Sequence, residues 1–301
     1  MYRICVKQDL RDVEFDYVIV DEAAKATFPE LAVSLNKAHK IILVGDHQQL
    51  PPVLDTEIIR NNKEKLDEEG LAQGVFERMY NMFPEDNKHR LTIQYRMHPT
   101  IGTLISHVFY NDEIQNGVEA QDRELCIEGY EGIAIEWIST SKYSTKERYE
   151  KEFDNNGKKS YQNYLERNII ERKLLELDSK LVKRTKVAVI TGYGSQKYIL
   201  QTMVKQHSFK HIEVDVDTVD AFQGSQKDII LYSTVRSSGN KYGIGFLKSE
   251  ARINVAFSRA RCLLIIVGDM KFLDNYKIRG NKFPEIIKYI TESEGCRIIE
   301  K

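Results

Sequence analysis

Cysteine, tryptophan and long apolar runs are all scarce in this sequence of 301 residues. The cysteines are far apart and form no Cys-x-x-Cys pair, which argues against a zinc site and a disulfide framework. They are Cys5, Cys126, Cys262 and Cys296. No segment reaches the roughly 20 apolar residues that a membrane-spanning helix needs, and the first residues lack the apolar core of a secretory signal. We therefore expect a cytoplasmic or nuclear protein with reduced thiols and no membrane partner.

An excess of charge of either sign is also missing. The sequence has 44 Lys and Arg against 45 Asp and Glu, a formal net charge of -1. This balance gives no support for nucleic-acid binding, although a groove can be locally basic on a neutral protein. The apolar and charged fractions are typical of a globular chain that is long enough for two domains.

A short apolar run that begins at Tyr17 ends in two adjacent carboxylates, Asp21 and Glu22. A continuous apolar run predicts a strand that is buried on both faces of a parallel sheet. Acids at the carboxyl end of such a strand lie where open α/β sheets place their ligands. In nucleotide hydrolases one acid of the pair holds Mg²⁺ and the other orients the attacking water. The alternative is a strand that leads into an acid-capped helix.

A helix over residues 25–35 leads to a second apolar strand over residues 39–45, which also ends at an acid, Asp46. Strand, helix and strand in this order predict a βαβ unit, in which both strands end in polar residues at the edge of the sheet where a ligand binds. The next loop contains two prolines and carries Gln49, whose amide can hold a phosphate. Taken alone, this loop is equally a rigid connector.

The rest of the chain alternates apolar strands with helices, which predicts a second parallel α/β domain. Strands are expected over residues 133–140, 186–191, 212–219 and 228–235, with a final strand over 262–267. Helices are expected over 55–83 (mostly), 196–206 and 250–260, and one helix presents Ile170, Leu174, Leu177 and Leu181 on a single face. Residues 141–160 are expected to be a solvated excursion. We place the boundary near residues 84–89, with domains over 1–88 and 89–301.

Two groups of side chains suggest nucleotide chemistry in the second domain. Tyr95 and Arg96 are adjacent, and a ring and a guanidinium are suited to a base and a phosphate. Arg252, Arg259 and Arg261 lie in or just after a helix of small and apolar residues, where an arginine finger can reach a transferring phosphate. The alternatives are a Tyr-Arg pair at a domain edge and arginines that cap their own helix.

Five sequence blocks, in a fixed order from residue 16 to residue 269, resemble the motifs of one enzyme family. They are Asp21-Glu22-Ala23-Ala24, Gly45-Asp46-x-x-Gln49-Leu50, Gln94-Tyr95-Arg96-Met97-His98-Pro99, Val219-Asp220-Ala221-Phe222-Gln223-Gly224 and Asn254-Val255-Ala256-Phe257-Ser258-Arg259-Ala260-Arg261. Together they look like motifs II to VI of the superfamily 1B helicases, in the group of the nonsense-mediated-decay helicase and senataxin. The minor block Asn163-x-x-Glu166 also resembles that group.

This resemblance implies an α/β fold of RecA-like parallel sheets flanked by helices, with one incomplete N-terminal and one complete C-terminal RecA-like domain. ATP and Mg²⁺ are the implied cofactors, bound between the two domains. Single-stranded DNA or RNA is the implied partner, with translocation from 5′ to 3′.

The resemblance also implies a role for each matched residue. Asp21 binds Mg²⁺, Glu22 positions the hydrolytic water, and Gln49 senses the γ-phosphate. Tyr95 stacks on the adenine, and Arg96 reaches the γ-phosphate from the second domain.

Further implied roles fall on residues later in the chain. Arg259 also reaches the γ-phosphate, and Gly224 and Gln226 belong to a nucleotide-binding block. Tyr193 and Thr218 lie in blocks whose counterparts touch the nucleic-acid backbone. Gln226 stands where the family pattern has an acid, which weakens the implied contact.

The largest departure from the family pattern is an absence. No Gly-x-x-x-x-Gly-Lys-Ser/Thr occurs in the 301 residues, so the phosphate-cradling loop, its lysine and a Mg²⁺ ligand are missing. We expect the C-terminal part of a helicase that lacks the Walker A region and is inactive alone, its P-loop region supplied in cis or in trans. The alternative is a non-catalytic nucleic-acid-binding or regulatory module derived from a helicase.

Overall fold

The computed structural model describes residues 13–52, 74–155, 158–222, 224–238, 243–275, 278 and 280–300. The chain divides into two compact units between Arg90 and Leu91. Parallel strands flanked by helices occur in both units, so the α/β class and the parallel sheets are confirmed. Of the helix expected over residues 55–83, the part before residue 74 lies outside the described residues.

Within the described residues, the first unit contains a two-stranded parallel sheet and two α-helices. The strands are β1 (Phe15–Val20) and β2 (Ala38–Leu43), and the helices are α1 (Phe28–Leu35) and α2 (Val75–Met82). The first helix begins later than the predicted residue 25 because residues 23–25 form a 3-10 turn. Thr27 then caps α1 in a capping box with Glu30, which satisfies N–H groups that have no partner inside the helix.

The core of this unit is small. Val20, Ala23, Leu31 and Phe76 are buried together. Val20 is the only buried residue of β1, and the side chains of Tyr17, Ile19 and Ile42 are exposed on the two strands, by 56%, 55% and 47%. The prediction of a strand buried on both faces is therefore wrong for β1. Two strands and two short helices among the described residues provide too little surface to cover both faces.

The second unit is built on a six-stranded parallel sheet with the order β12-β5-β11-β10-β8-β9. These strands are β5 (Ile135–Ser139), β8 (Thr185–Thr191), β9 (Ile212–Thr218), β10 (Lys227–Ser233), β11 (Ala260–Gly268) and β12 (Cys296–Glu300). Trp137, in β5, is fully buried. The strands predicted from apolar runs are thus confirmed, and β12 is an additional one.

Short strands and helices surround this sheet. A parallel pair is formed by β3 (Ile93–Gln94) and β4 (Gln115–Asn116), and an antiparallel hairpin by β6 (Lys151–Asn155) and β7 (Lys158–Gln162). The helices are α3 (Pro99–Phe109), α4 (Thr145–Arg148), α5 (Tyr164–Lys180), α6 (Gly194–Val204), α7 (Val219–Phe222), α8 (Glu250–Phe257), α9 (Met270–Leu273) and α10 (Phe283–Glu292). The predicted apolar face of α5 is buried in the main core. No helix in the described ranges is both long and apolar enough to cross a membrane.

One prediction about the second unit is incomplete and another is wrong. Residues 141–160 are not only a solvated excursion, because they contain α4 and most of the β6–β7 hairpin. Residues 262–267 do not form the final strand, because β12 follows and pairs in parallel with β5. The β6–β7 hairpin and β12 have charged residues within their strands, which hid the strand pattern in the sequence.

A buried ionic cluster fastens β12 to the sheet. Glu136 of β5 is fully buried and accepts a hydrogen bond from the Tyr130 hydroxyl at 2.9 Å and from Nε of Arg297 in β12 at 2.9 Å. The Lys173 ammonium, on α5, lies 3.1 Å from the same carboxylate. Two cations and a hydroxyl therefore compensate one buried acid, which is the condition for a buried charge to be tolerated.

Three of the four thiols lie within the described residues. Cys126, Cys262 and Cys296 are free, and burial raises the pKa of both Cys262 and Cys296 to about 11. Cys5 lies outside the described residues. The described part of the chain also holds no group of three or more His, Cys, Asp or Glu side chains that would bind a metal ion.

Candidate functional site

The two carboxylates Asp21 and Glu22 are exposed directly after β1. Glu22 has φ 55° and ψ 35°, in the left-handed region, and its N–H donates to Oδ1 of Asp21 at 2.8 Å. This conformation is uncommon outside glycine and costs of order 1–3 kcal/mol. A backbone of this kind recurs at binding and catalytic sites, and exposed carboxylate oxygens are ligands that Mg²⁺ accepts.

The exit of β2 lies very close to this acidic turn. The Ala23 N–H donates to the carbonyl oxygen of Val44 at 2.8 Å, so pairing continues beyond the two strands. A Cβ at Gly45 would lie 2.7 Å from the Ala24 nitrogen and 3.2 Å from the Phe76 ring. Glycine is therefore needed at residue 45 for the two chain segments to approach, and this approach brings the second block beside the first.

Asp46 holds the side chain of Gln49. Nε2 of Gln49 donates to Oδ2 of Asp46 at 2.7 Å, and the Gln48 N–H donates to Oδ1 at 3.0 Å. Because β1 and β2 are parallel neighbours, Gln49 follows a strand that ends at the same edge as Asp21. The sequence predicted Gln49 but missed the supporting role of Asp46, although Asp is a common turn residue of this kind.

In the second unit, Gln94 organises the turn that contains Tyr95 and Arg96. Its Oε1 accepts from the N–H groups of Arg96 at 2.9 Å and Met97 at 2.8 Å. Arg123 donates to the carbonyl oxygens of Arg96 at 2.8 Å and Tyr95 at 2.7 Å. The turn is thus held from two sides, while the Tyr95 ring is 63% exposed. Arg123 lies 28 positions after Tyr95, and no local sequence pattern indicates its role.

The block around Arg96 contacts the block around Arg259. Nη1 of Arg96 donates to the carbonyl oxygen of Ser258 at 3.3 Å, and the His98 N–H donates to the carbonyl oxygen of Arg261 at 2.7 Å. Residues separated by more than 150 positions in the chain therefore lie side by side, as the family resemblance implies for motifs IV and VI.

Arg259 also contacts a third block, the one that ends at Gly224. Its side chain is 3% exposed, with Nε donating to the carbonyl oxygen of Val255 at 3.1 Å and Nη1 to that of Ser225 at 3.5 Å. Ser225 stands between Gly224, which has φ 82°, and Gln226, and both of these flanking residues are exposed. The predicted residues of motifs IV, V and VI are thus brought together within the second unit.

Tyr193 and Thr218 follow or end neighbouring strands at the carboxyl edge of the six-stranded sheet. Thr218 is half-buried at the end of β9, opposite Thr191 of β8. Tyr193 is only 3% exposed, and burial raises its pKa. Its ring packs between those of Tyr161 and Phe246, each with a centroid 5.3 Å away. The residue at the surface of this group is Phe246, which the sequence analysis did not select.

Glu166 is buried under the same edge. It accepts from the Ser233 hydroxyl at 2.6 Å, the Thr234 hydroxyl at 3.1 Å and the Val235 N–H, which lies 2.9 Å from both carboxylate oxygens. Val235 has φ 69°, a genuine outlier for a β-branched residue. Asn163 caps α5 by accepting from the Glu166 N–H at 3.0 Å. The Asn-x-x-Glu spacing was therefore a detectable signal, although Glu166 serves the strand ends and not the cap.

Comparison with known protein families gives two matches. A model described as AAA domain matches residues 71–271, and a second model with the same description matches residues 3–57. The two matches together cover all five blocks.

Curated relatives agree with these matches. A Neurospora crassa protein named regulator of nonsense transcripts 1 homolog is 36% identical over 276 residues, which covers 89% of this chain and 24% of that protein. The ATP-dependent helicase NAM7 of Saccharomyces cerevisiae is 36% identical over 292 residues, covering 95% and 28%. An uncharacterised ATP-dependent helicase of Methanocaldococcus jannaschii is 31% identical over 309 residues, covering 97% and 41%.

The chain spans about a quarter of the length of the two fungal relatives, at 24% and 28%. Among solved structures, a PRRSV helicase resembles 83% of this chain with a TM-score of 0.40 and 17% identity, over 34% of its own length. That structural likeness is weak.

Proposed function

Because this chain belongs to the AAA domain family, and within it to the superfamily 1 helicases of the nonsense-mediated-decay type, we propose that it is the C-terminal part of an ATP-dependent nucleic-acid helicase. One observation carries the proposal. Arg96 contacts the carbonyl of Ser258, and the next residue, Arg259, contacts Ser225. Three blocks that a phosphate-sensing site requires are thereby assembled in one unit.

The first unit contributes the groups for the metal and the water. Asp21 is the proposed Mg²⁺ ligand, since its carboxylate is exposed at the strand end. Glu22 is proposed to orient the attacking water, and Gln49, held by Asp46, to sense the γ-phosphate. Mg²⁺ bound with ATP would supply neutralisation of charge on the phosphate oxygens.

The second unit contributes an aromatic ring and two guanidinium groups. Tyr95 offers an exposed ring for stacking on adenine. Among their hydrogen bonds, Arg96 and Arg259 donate to neutral carbonyl oxygens. A phosphate oxygen is a charged acceptor, and such bonds are roughly twice as strong as neutral ones. A phosphate oxygen of a triphosphate would therefore be a stronger acceptor for these guanidinium groups than the carbonyl oxygens are.

Single-stranded DNA or RNA is the proposed partner at the carboxyl edge of the six-stranded sheet, near Thr218 and Tyr193. Translocation from 5′ to 3′ and a cytoplasmic or nuclear location belong to the same proposal. Two domains over residues 1–88 and 89–301 also belong to it. The buried state of Tyr193 supports a contact made through the backbone around it.

The chain contains no Walker A sequence, so we propose that it does not hydrolyse ATP by itself. A P-loop would supply backbone N–H donors and a lysine aimed at the phosphates. One observation favours a second candidate function, a non-catalytic nucleic-acid-binding module. Gln226, which stands where the family has an acid, is exposed beside Ser225.

Binding and hydrolysis measured on the chain alone test the proposal. Fluorescence anisotropy with labelled oligo(U) and oligo(dT), beside a duplex of equal length, is expected to show binding that prefers single strands and weakens with salt. Phosphate release with Mg-ATP is expected to stay at the blank level. Equal binding to the duplex, or turnover that Glu22→Gln abolishes, would contradict the proposal.

A further inference from the structure

The ring of Tyr95 lies against the backbone at Gly117, the residue directly after β4. A Cβ built on Gly117 would lie 2.7 Å from Cζ of Tyr95 and 2.7 Å from Cγ2 of Ile93. Carbon atoms that are not bonded to each other pack at about 3.5–4.0 Å. Any other residue at position 117 would therefore have to displace Tyr95 or Ile93.

The backbone conformation of Gly117 does not explain why this residue is a glycine. Gly117 is not among the glycines with positive φ, so a residue with a side chain could adopt the same backbone. Gly117 is also exposed, so no packing in the core requires a small residue there. The close approach of the Tyr95 ring is the reason that the structure provides.

Gly117 is fixed to the residue that organises the Tyr95 turn. Its N–H donates to the carbonyl oxygen of Gln94 at 2.8 Å, beside the parallel pair of Gln94 and Asn116. Oδ1 of Asn116 accepts from Nε2 of Gln94 at 2.7 Å, and Nδ2 of Asn116 donates to Oγ1 of Thr103 in α3 at 3.1 Å. The backbone on which the ring lies is thus held by a strand and by a helix.

The backbone of Tyr95 is held as well, so the ring moves chiefly by rotation of its side chain. Nη2 of Arg123 donates to the Tyr95 carbonyl oxygen at 2.7 Å, and the N–H of the next residue, Arg96, donates to Oε1 of Gln94 at 2.9 Å. Gly117 then limits where the side chain can rotate. The position of the ring is therefore set by a contact between the ring and the backbone.

The rest of the Tyr95 ring is open. The residue is 63% exposed, and none of the ring pairs or cation–ring contacts of the described residues involves Tyr95. A ring that is supported on one side and open elsewhere is already placed for stacking. Less conformational entropy is then lost when a flat ligand binds.

We propose that Gly117 is a positioning residue for the base of a bound nucleotide, because it lets the Tyr95 ring lie where its open part stacks on adenine. This inference rests on the proposed function, in which Tyr95 is the stacking residue. It adds the residue that sets the position of the ring, and Gly117 acts only through that ring.

Gly117→Ala tests the position of the ring without any nucleotide. The full chain is labelled with 3-fluorotyrosine, and Tyr95→Phe identifies the ¹⁹F resonance of Tyr95 among those of the 16 tyrosines. Gly117→Ala is expected to shift this resonance. Gly194→Ala is the matched control, because a Cβ on Gly194 meets nothing within 4 Å, and it is expected to leave the resonance in place. An unshifted Tyr95 resonance in Gly117→Ala would refute the contact.

Saturation-transfer NMR on the adenine protons of Mg-ATP tests the role of that position in binding. Gly117→Ala is expected to weaken the affinity for Mg-ATP by about 2- to 12-fold, the range for one lost aromatic pair. Tyr95→Ala is expected to weaken it at least as much. In a Tyr95→Ala background, Gly117→Ala is expected to have no further effect, because the two residues act as one unit.

The outcomes separate this inference from the proposed function. If Mg-ATP binds the original chain and Gly117→Ala with equal affinity, the positioning role is refuted and the proposed function stands. If the adenine protons receive no saturation from the original chain, the adenine contact and the role of Gly117 are both refuted. A further loss in the Tyr95→Ala background would refute action through the ring. Thermal unfolding checks that each variant folds, and an unchanged midpoint is expected because Gly117 and Tyr95 are exposed.

Discussion

Glu166→Gln is expected to make the stability of the second unit less dependent on pH. Glu166 is fully buried and faces three donors, the hydroxyls of Ser233 and Thr234 and the N–H of Val235. Burial raises its pKa from 4.5 to about 8. A glutamine side chain has the shape of the protonated acid and one acceptor oxygen, but it does not titrate.

The sign of the effect follows from the two pKa values. An unfolded chain releases the Glu166 proton near pH 4.5, whereas the folded chain keeps it up to about pH 8. Between these values the folded state binds the extra proton, so the free energy of unfolding falls as the pH rises. The slope is at most about 1.4 kcal/mol per pH unit. From about pH 5.5 to about pH 7.5, this one group therefore removes up to roughly 3 kcal/mol.

Urea unfolding of both proteins at these pH values measures the effect. The difference in free energy of unfolding between the original chain and Glu166→Gln is expected to shift by up to about 3 kcal/mol in favour of the variant as the pH rises. Other titrating groups cancel in this difference. A difference that stays constant with pH would refute the buried, protonated state of Glu166.

Glu176→Gln on the same helix is the control. Burial acts to raise the pKa of Glu176, but hydrogen bonds from Lys173 and Lys180 outweigh it and leave the pKa below 4.5. Glu176 is therefore ionised in both states throughout the window. Its replacement is expected to change stability by a similar amount at each pH.

Three further predictions concern the buried cluster, the Gln94 turn and nucleotide binding. Glu136→Ala removes the buried acid that faces the Lys173 ammonium, while the ammonium itself stays nearly buried. This substitution is expected to lower the free energy of unfolding by about 3–5 kcal/mol. Glu300→Ala removes an exposed pair and should cost much less; equal losses in urea unfolding would contradict the role of the cluster. Gln94→Ala leaves two N–H groups of the Tyr95 turn without their acceptor and is expected to cost about 1–3 kcal/mol in the same assay. A loss below about 0.5 kcal/mol would show that the turn is stable without the Gln94 side chain. Calorimetry of the chain alone with Mg-ATP is expected to give a Kd of about 1 mM or weaker, and micromolar binding would show that another element replaces the missing loop.

Elements with continuous apolar runs could be predicted from the sequence because burial alone determines them. The strands β8, β10 and β11 and the apolar face of α5 are of this kind. The strand β12 was missed because Arg297 interrupts its apolar pattern, and the charge of Arg297 is balanced by the distant Glu136. Local sequence contains no sign of such a pairing.

The residues of the candidate site also divide into those that the sequence could predict and those that it could not. Asp21, Glu22 and Gln49 follow strands, so their place at one edge of the first unit could be inferred from a βαβ pattern. The residues that hold the site, such as Arg123, act from far along the chain. Gly117 was missed because an exposed glycine has no sequence signature until the ring that lies against it is known.

Phosphate release by a fusion, in which a segment with a Walker A sequence precedes this chain, tests the role of Arg259 most directly. The fusion is expected to hydrolyse ATP when a single-stranded oligonucleotide is present. Arg259→Ala is expected to lower that rate by about 10³- to 10⁵-fold, the range for a lost arginine finger. Arg172→Ala, at an exposed arginine of α5, should leave it unchanged. Equal rates for Arg259→Ala and the unsubstituted fusion would contradict the proposed phosphate-sensing site.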